Sequence, residues 1–214
     1  MDISIADLRL DYNLEELLES ETSADPFIVF KQWLERAVSS GRLEPNAMTL
    51  ATISPEGKPR ARMVLLKDFD PRGFVLFTNY QSAKGQELIA NPNAALVFWW
   101  GELQRQIRIE GTVEKISEEE SDNYFFVRPW ESRLGAWASN QSEVISGRYI
   151  LEKRLTELKE EYAGREVPRP PHWGGFRLIP SLIEFWQGRP SRLHDRLCYY
   201  RQEDGSWQRR RLAP

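Results

Sequence analysis

Several short stretches of this sequence gather groups that bind anions or move protons. Arg62-Met63-Val64-Leu65-Leu66-Lys67 sets two cations at the ends of an apolar run. In a regular strand, side chains five positions apart point to opposite faces, so these cations would meet different ligands or different subunits. The plainer alternative is a pair of snorkelling or salt-bridged strand ends. Thr78-Asn79, followed by Ser82-Ala83-Lys84 at the head of a helical segment, collects free backbone N–H groups, hydroxyls and an ammonium at one end, as an anion cradle does. Many helix starts share that pattern, so by itself it specifies little.

Tyr124, Arg128 and Ser132 recur every fourth residue. A phenol, a guanidinium and a hydroxyl suit a phosphate monoester, because hydrogen bonds to charged groups contribute roughly 1.5–3 kcal/mol each. Pro129 interrupts the helix that would align all three, and Arg128 could equally answer a helix C-terminal dipole. In Gln104-Arg105-Gln106-Ile107-Arg108-Ile109-Glu110, strict alternation puts Gln106, Arg108 and Glu110 on one face. That face is either solvated or, through the Gln106 amide, matched to the carbonyl and imide edge of a flat ring. The densest run is Phe185-Trp186-Gln187-Gly188-Arg189-Pro190-Ser191-Arg192-Leu193-His194-Asp195-Arg196, in which an aromatic strand leads into arginines, a histidine and an aspartate. A histidine there is a proton-transfer candidate, or a loop histidine held by Asp195.

The elements that must position these groups follow from pattern and punctuation. Asp25-Pro26 caps a helix whose Phe27, Phe30, Trp33, Leu34 and Val38 recur at helical spacing up to Gly41. Strands are expected over 48–53, 60–69 and 74–78, separated by Ser-Pro-Glu-Gly and Asp-Pro-Arg-Gly turns. A short helix from Ser82 to Ile89 precedes a hairpin, 94–100 and 104–116. Ser117 with Glu120 forms a capping box for a helix ending near Pro129. A longer helix from Ser146 places Leu151, Leu155, Leu158 and Tyr162 on one stripe, and Val167-Pro168-Arg169-Pro170-Pro171 is a stiff connector. Strands over 175–179, 182–186, 196–201 and 207–212 close the chain. Many antiparallel strands with inserted helices argue for a β-barrel with flanking helices rather than a doubly wound sheet. Residues 1–24 read as a mobile N-terminal arm with a helical turn near Leu14–Leu18, and residues 25–214 as a single domain.

Bulk properties narrow the function. The 214 residues carry 29 basic and 32 acidic side chains, a net charge of -3, which gives no field for nucleic acid or anionic membrane. One cysteine excludes an internal disulfide, and with only two histidines no Cys-rich or multi-histidine metal site is expected. Neither a signal peptide nor a membrane span is expected, so the chain reads as cytoplasmic. Aromatic residues make 12% of the chain, which suits a flat ring ligand, a large subunit interface or simply an aromatic core.

Taken in order, RMVLLK at 62–67, TNYQSAKG at 78–85, Tyr124 with RPWES at 128–132, LGAWASNQS at 134–142, WGGFR at 173–177, FWQGRPSRLHDR at 185–196 and the closing RLAP at 211–214 resemble the pyridoxine/pyridoxamine 5'-phosphate oxidase family of FMN-binding split barrels. The resemblance spans nearly the whole chain. It implies an antiparallel split β-barrel, a homodimer with FMN sites at its interface, and oxidation of pyridoxine or pyridoxamine 5'-phosphate by O2. By that resemblance Arg62 and Lys84, helped by Thr78, Gln141 and Ser142, hold the FMN phosphate. Met63, Val64, Leu65 and Leu66 support the isoalloxazine ring, and Lys67, Phe77, Gln106, Trp186 and Arg196 are further cofactor contacts. Lys67, Tyr124, Arg128 and Ser132 grip the substrate phosphate. Arg192, Leu193 and His194 meet the substrate ring, with Arg192 and His194 as catalytic candidates, and Arg9 and Tyr12 belong to an arm that folds over it. Ala83 stands where relatives commonly have arginine, which removes one expected phosphate contact. Two other readings remain: an FMN-dependent oxidase of another heteroaromatic ring, and a non-catalytic binder of FMN or pyridoxal phosphate.

Overall fold

The computed structural model describes Ser4, Leu8 and residues 11–214. Arg9, expected at the substrate, lies outside the described residues. The chain is mainly β with helices at its flanks. Strands β1 (Ala47–Ile53), β2 (Pro59–Leu65), β3 (Asp68–Asp70), β4 (Gly73–Asn79), β5 (Asn93–Trp100), β6 (Arg105–Lys115), β7 (Trp173–Gln187), β8 (Asp195–Arg201) and β9 (Trp207–Arg211) accompany helices α1 (Pro26–Ser39), α2 (Ala83–Ala90), α3 (Glu118–Val127), α4 (Trp130–Ala138) and α5 (Tyr149–Glu161). The hydrogen-bonded strand order is β2-β1-β5-β6-β7-β4-β3, with β8 and β9 following from β7. The pairings β3–β4, β4–β7, β7–β8 and β8–β9 are antiparallel.

Contacts divide the chain into two compact units, Met1–Leu50 with Ala95–Gly111 and Pro180–Pro214, and Ala51–Ala94 with Thr112–Ile179. Each draws on separated stretches of sequence, so a boundary after residue 24 does not coincide with either.

In the first unit, α1 starts where expected: the Asp25 carboxylate accepts the Phe27 N–H at 2.9 Å, and Pro26 occupies the first turn. Its buried stripe runs through Phe27, Phe30, Trp33 and Ala37, while Val38 is exposed. Edge-to-face contacts join Phe30 to Phe98 and Trp33 to Phe185, at centroid distances of 5.4 and 5.2 Å. Residues 11–18 form no helical turn; a single 3-10 turn follows at Glu19–Glu21. The expected break between strands at 175–179 and 182–186 is also absent, since β7 continues through Pro180 and Ser181, whose hydroxyl donates to the Glu110 carbonyl.

In the second unit, β4 pairs with the first half of β7, from Phe74 opposite Leu178 to Asn79 opposite Trp173. The expected strand over 60–69 is interrupted after Leu65: Leu66 turns into the core, and the Lys67 N–H donates to the Val75 carbonyl. Strand parity therefore does not connect Arg62 to Lys67. The Ser117–Glu120 capping box starts α3. Helix α4 packs on α5 through Leu134, Leu158 and Val167, flanked by Trp130, Trp137, Leu155 and Tyr162. The prolyl connector joins this cluster through the Trp137 indole N–H, which donates to the Pro168 carbonyl at 2.8 Å.

Helix α2 begins against the chain that precedes it. A Cβ on Gly85 would lie 2.4 Å from the Tyr80 carbonyl oxygen and 2.6 Å from that of Asn79, both backbone atoms that cannot yield cheaply. Gly85→Ala is therefore expected to destabilise the protein by about 1–3 kcal/mol, read as a lower midpoint in denaturant unfolding; an unchanged midpoint would show that the start of α2 adjusts freely.

Candidate active site

The second unit holds a cleft of about 700 Å³ lined by Met63, Val64, Leu65, Lys67, Phe77, Thr78, Lys84, Tyr124, Arg128, Ser132, Gln141 and Trp173, among others. Two groups of cationic, hydroxyl and amide side chains share it. The first lies at the head of α2. Ser82 caps the helix by accepting the Gly85 N–H, the Ala83 N–H donates to the Ser142 hydroxyl at 3.2 Å, and the Thr78 hydroxyl donates to the Gln141 amide oxygen at 3.1 Å. The Lys84 ammonium reaches the Thr78 hydroxyl at 3.4 Å. Burial, with the nearby Arg62 charge, lowers the Lys84 pKa, the response of a cation whose own protein supplies too little counter-charge.

The second group is Tyr124, Arg128 and Ser132. Helix α3 stops at Val127, Arg128 takes an extended conformation, and α4 starts beyond Pro129, so the three residues come from two helices and their joint rather than from one helix. Pro129 produces that break, and the three side chains nevertheless line the same cleft. Tyr124 stacks on Phe77 at 3.9 Å, and the Arg128 guanidinium lies over the Trp173 ring at 4.6 Å. Arg128 Nη1 is buried without a hydrogen-bond partner, and burial lowers the Arg128 pKa. Among the described residues no carboxylate lies within 4 Å of Lys67, Lys84 or Arg128. A cleft with an orphaned guanidinium N–H at one group and a lysine–hydroxyl–amide cradle at the other fits two phosphate esters.

Arg62 is arranged differently from the expectation. Its guanidinium donates to Glu87, at 2.7 Å, and to the Thr52 hydroxyl, both of them buried, and it does not line the cleft. Leu66 is a core residue. Glu87 went unrecognised in the sequence because an acid within a short surface helix carries no mark of burial.

In the first unit, Trp186, His194 and Tyr12 form an aromatic group: the Trp186 and His194 rings are 4.6 Å apart, and Tyr12 meets each at 5.8 Å. The Arg189 backbone N–H donates to His194 Nδ1 at 3.1 Å, which leaves Nε2 to carry the ring proton in the neutral form. Burial, then the charge of Arg192, push the His194 pKa below its ordinary value. Ser191 and Arg192 both have positive φ, 56° and 62°, a left-handed pair that a chain keeps only where its surroundings hold it. Arg192 and Leu193 are exposed. Gln106 and Arg108 share the partly exposed face of β6 while Ile107 and Ile109 are buried, as the alternation predicts.

Arg196 is paired rather than open. Its Nε donates to Glu184 Oε1 at 2.9 Å and its Nη2 to Glu184 Oε2 at 3.1 Å, while Nη1 donates to the Ala213 carbonyl. Arg108 donates to the same carboxylate at 2.7 Å. A lone acid between Ile183 and Phe185 in an apolar strand was the signal that could have revealed Glu184, since such an acid requires a cationic partner.

Comparison with known proteins identifies the fold and the family. The structure superposes on that of PhzG from Burkholderia lata 383 in complex with tetrahydrophenazine-1-carboxylic acid, with a TM-score of 0.88 and 32% identity, covering 94% of this chain and 99% of the other. It also superposes, at a TM-score of 0.72 and 18% identity, on a pyridoxamine 5'-phosphate oxidase-related, FMN binding protein from Nostoc punctiforme, covering 90% and 100%. The fold is thus the split β-barrel found among FMN-binding proteins. Residues 34–162 match the family model described as Pyridoxamine 5'-phosphate oxidase, and residues 173–214 match that of the Pyridoxine 5'-phosphate oxidase C-terminal dimerisation region. The chain is 99% identical, over the full length of both, to the pyridoxine/pyridoxamine 5'-phosphate oxidase of Microcystis aeruginosa, and 64% identical over its full length to that of Nostoc punctiforme. The chain belongs to the pyridoxine/pyridoxamine 5'-phosphate oxidase family.

The Glu184 pair makes a prediction about stability. Burial raises the Glu184 carboxyl pKa, but hydrogen bonds from Arg196 and Arg108 outweigh it and hold the group below its ordinary 4.5. A depressed carboxylate contributes stability that is present above its unfolded pKa and is lost as pH falls through its folded one. Glu184→Gln is expected to cost about 3 kcal/mol at pH 7 and to flatten the loss of stability below pH ~4.5, both read from denaturant unfolding at a series of pH values.

Proposed function

We propose that this chain is an FMN-dependent oxidase that converts pyridoxine 5'-phosphate or pyridoxamine 5'-phosphate to pyridoxal 5'-phosphate, with O2 as the oxidant. Hydrogen peroxide is formed in both cases, and ammonia is released from the amine. The observation that carries the reading is the pair of polar and cationic groups in one cleft, each with cations that have no carboxylate within 4 Å among the described residues. One ester is the cofactor's and the other the substrate's.

Lys84, Thr78, Gln141 and Ser142 hold the cofactor phosphate, with the head of α2 adding its positive end. Ala83 leaves that duty to fewer cations, and Arg62 adds its positive charge to the field at Lys84. Met63, Val64 and Leu65 offer an apolar wall to the ring, beside Phe77, and Gln106 and Trp186 complete the proposed cofactor contacts. Arg196, held by Glu184, supplies a fixed positive charge rather than a mobile one. Lys67, Tyr124, Arg128 and Ser132 hold the substrate phosphate; desolvation makes the Arg128 hydrogen bond stronger than it would be in water. Held by these residues, FMN would supply the redox chemistry, removal of hydride from the substrate's C4' carbon with O2 as the final electron acceptor. The protein orients the reacting carbon and excludes water. Arg192, Leu193 and His194 act on the ring, where the neutral His194 presents its Nε2 proton as a donor, and Arg192, permanently charged, orients the substrate.

The match of residues 173–214 to the family's dimerisation region supports a homodimer, and we place the FMN sites at its interface. No helix among the described residues is long and apolar enough to cross a membrane, and the single cysteine is free and buried; both accord with a cytoplasmic enzyme.

The similarity to PhzG favours one competing reading, oxidation of a larger unphosphorylated ring. Such a substrate has no use for the Tyr124–Arg128–Ser132 group. The deciding assay incubates the protein with FMN, O2 and either pyridoxine 5'-phosphate or unphosphorylated pyridoxine. Aldehyde and peroxide should form in equal amounts and far faster from the phosphate ester; equal rates from both would overturn the reading. Arg128→Ala should raise KM for the ester by about 10- to 100-fold and leave the slow turnover of unphosphorylated pyridoxine unchanged.

A further inference from the structure

The described part of the N-terminal arm is held by ion pairs and hydrogen bonds, and Arg211 near the C-terminus makes three hydrogen bonds to it where Arg189 makes two. Arg211, the last residue of β9, donates through Nε to Glu19 Oε1 and through Nη2 to Glu19 Oε2, both at 2.7 Å. Its Nη2 also donates to the Leu17 carbonyl at 2.7 Å, and its Nη1 to Asp195 Oδ1 at 2.6 Å. The other Asp195 oxygen accepts the Leu17 N–H at 3.1 Å. Leu17 is thus gripped at both its N–H and its carbonyl, and its side chain is buried. Glu15 pairs with the buried Arg105, and Glu16 pairs with Arg189, whose backbone N–H fixes His194.

Tyr12 stands at the near end of the segment this network holds. The residue lies five positions before Leu17, and the Asn13 N–H is tied to the Gln104 side chain at 3.0 Å. Its ring packs on Trp186 and His194, and a Cβ on Gly188 would lie 2.7 Å from Tyr12 Cγ. There is no slack in that contact. The Arg211 guanidinium, as the largest influence, draws the Glu19 carboxyl down to about 2, so the pair stays ionised at neutral pH.

We propose that Arg211 and Glu19 form a latch that seats the arm, making them positioning residues that act on the substrate-ring site through Tyr12. The proposal rests on the oxidase reading above for its kinetic consequence, and on this structure alone for the latch itself. Only a fork-shaped cation reaches Glu19, Asp195 and the Leu17 carbonyl together, so lysine cannot replace it. Opening the latch frees residues 12–17 to leave the aromatic group, and the substrate then has to pay for their ordering on binding.

The test uses the FMN-loaded full-length protein and three variants, Arg211→Ala, Arg211→Lys and Glu19→Gln. Hydrogen–deuterium exchange reads the latch without any reaction: exchange over residues 12–19 should quicken at least tenfold in all three, while β7 keeps its protection. Glu19→Gln alters only the arm, so it keeps the test valid if removing Arg211 disturbs β9. With pyridoxine 5'-phosphate, KM should rise severalfold with kcat nearly unchanged, and Tyr12→Ala combined with Arg211→Ala should raise KM no further than Tyr12→Ala alone. Unchanged exchange in Glu19→Gln would overturn the latch. Faster exchange with fully additive KM effects would overturn its action through Tyr12. A wild-type protein without oxidase activity would sink the functional reading and leave the exchange result to judge the latch.

Discussion

Removing a guanidinium or an ammonium from water costs several kcal/mol unless a counter-charge meets it, and this chain meets that requirement in two ways. Most of its partly buried arginines have a carboxylate of their own. Arg62 has Glu87, Arg177 has Asp70 and Glu120, and Arg108 and Arg196 share Glu184. Lys67, Lys84 and Arg128 have none within 4 Å among the described residues, and all three line one cleft. Such cations are left with an unmet electrostatic demand, which the proposed phosphate ligands would satisfy. The lowered pKa values of Lys84 and Arg128, both led by burial, are the same fact seen from the proton's side.

The paired arginines are not idle in this scheme. Arg62 does not reach the cleft lining, yet its charge acts on Lys84. Glu87 orients Arg62 and softens that repulsion. In the other unit, Glu184 takes both hydrogen bonds from Arg196 and a third from Arg108, so each guanidinium is fixed in direction before any ligand arrives. Preorganised charge of this kind needs no reorganisation at the moment of reaction.

How much of this could be read from the sequence depended on the range of the interaction. Helix starts were legible, because Asp25-Pro26, Ser82 and the Ser117–Glu120 box act within one turn of their own position. The alternation of Gln106 to Glu110 was legible for the same reason. Lys67 was not: the run from Arg60 to Phe69 has no punctuation at Leu66, and the strand breaks there because the Lys67 N–H is claimed by Val75 and the Leu66 side chain by the core. Tyr124, Arg128 and Ser132 line one cleft in spite of Pro129, since four-residue spacing brings them together across a helix–helix joint as well as along one helix. Glu87 and Glu184 escaped because a carboxylate's partner, 25 or 12 residues away along the chain, is chosen by tertiary packing.

The N-terminal arm shows the same limit most sharply. Its composition is that of a free tail: polar, acidic and without helical period. Yet Glu15, Glu16 and Glu19 each find an arginine on β6, after β7 or at the end of β9. An acidic segment next to an arginine-rich terminus is ordered by charges that lie some 90 to 190 positions away in sequence, and no local pattern reports them. Order here also differs in kind from that of the core. Leu17 is the arm's one buried apolar anchor among residues 11–18, so the segment is held by hydrogen-bonded charge far more than by buried surface. Exposed ion pairs are individually weak and screened by salt, whereas Arg211 joins four acceptors through one rigid plane. An arm seated in that way can be firm when assembled and still open at small cost, which is the property the proposed latch needs.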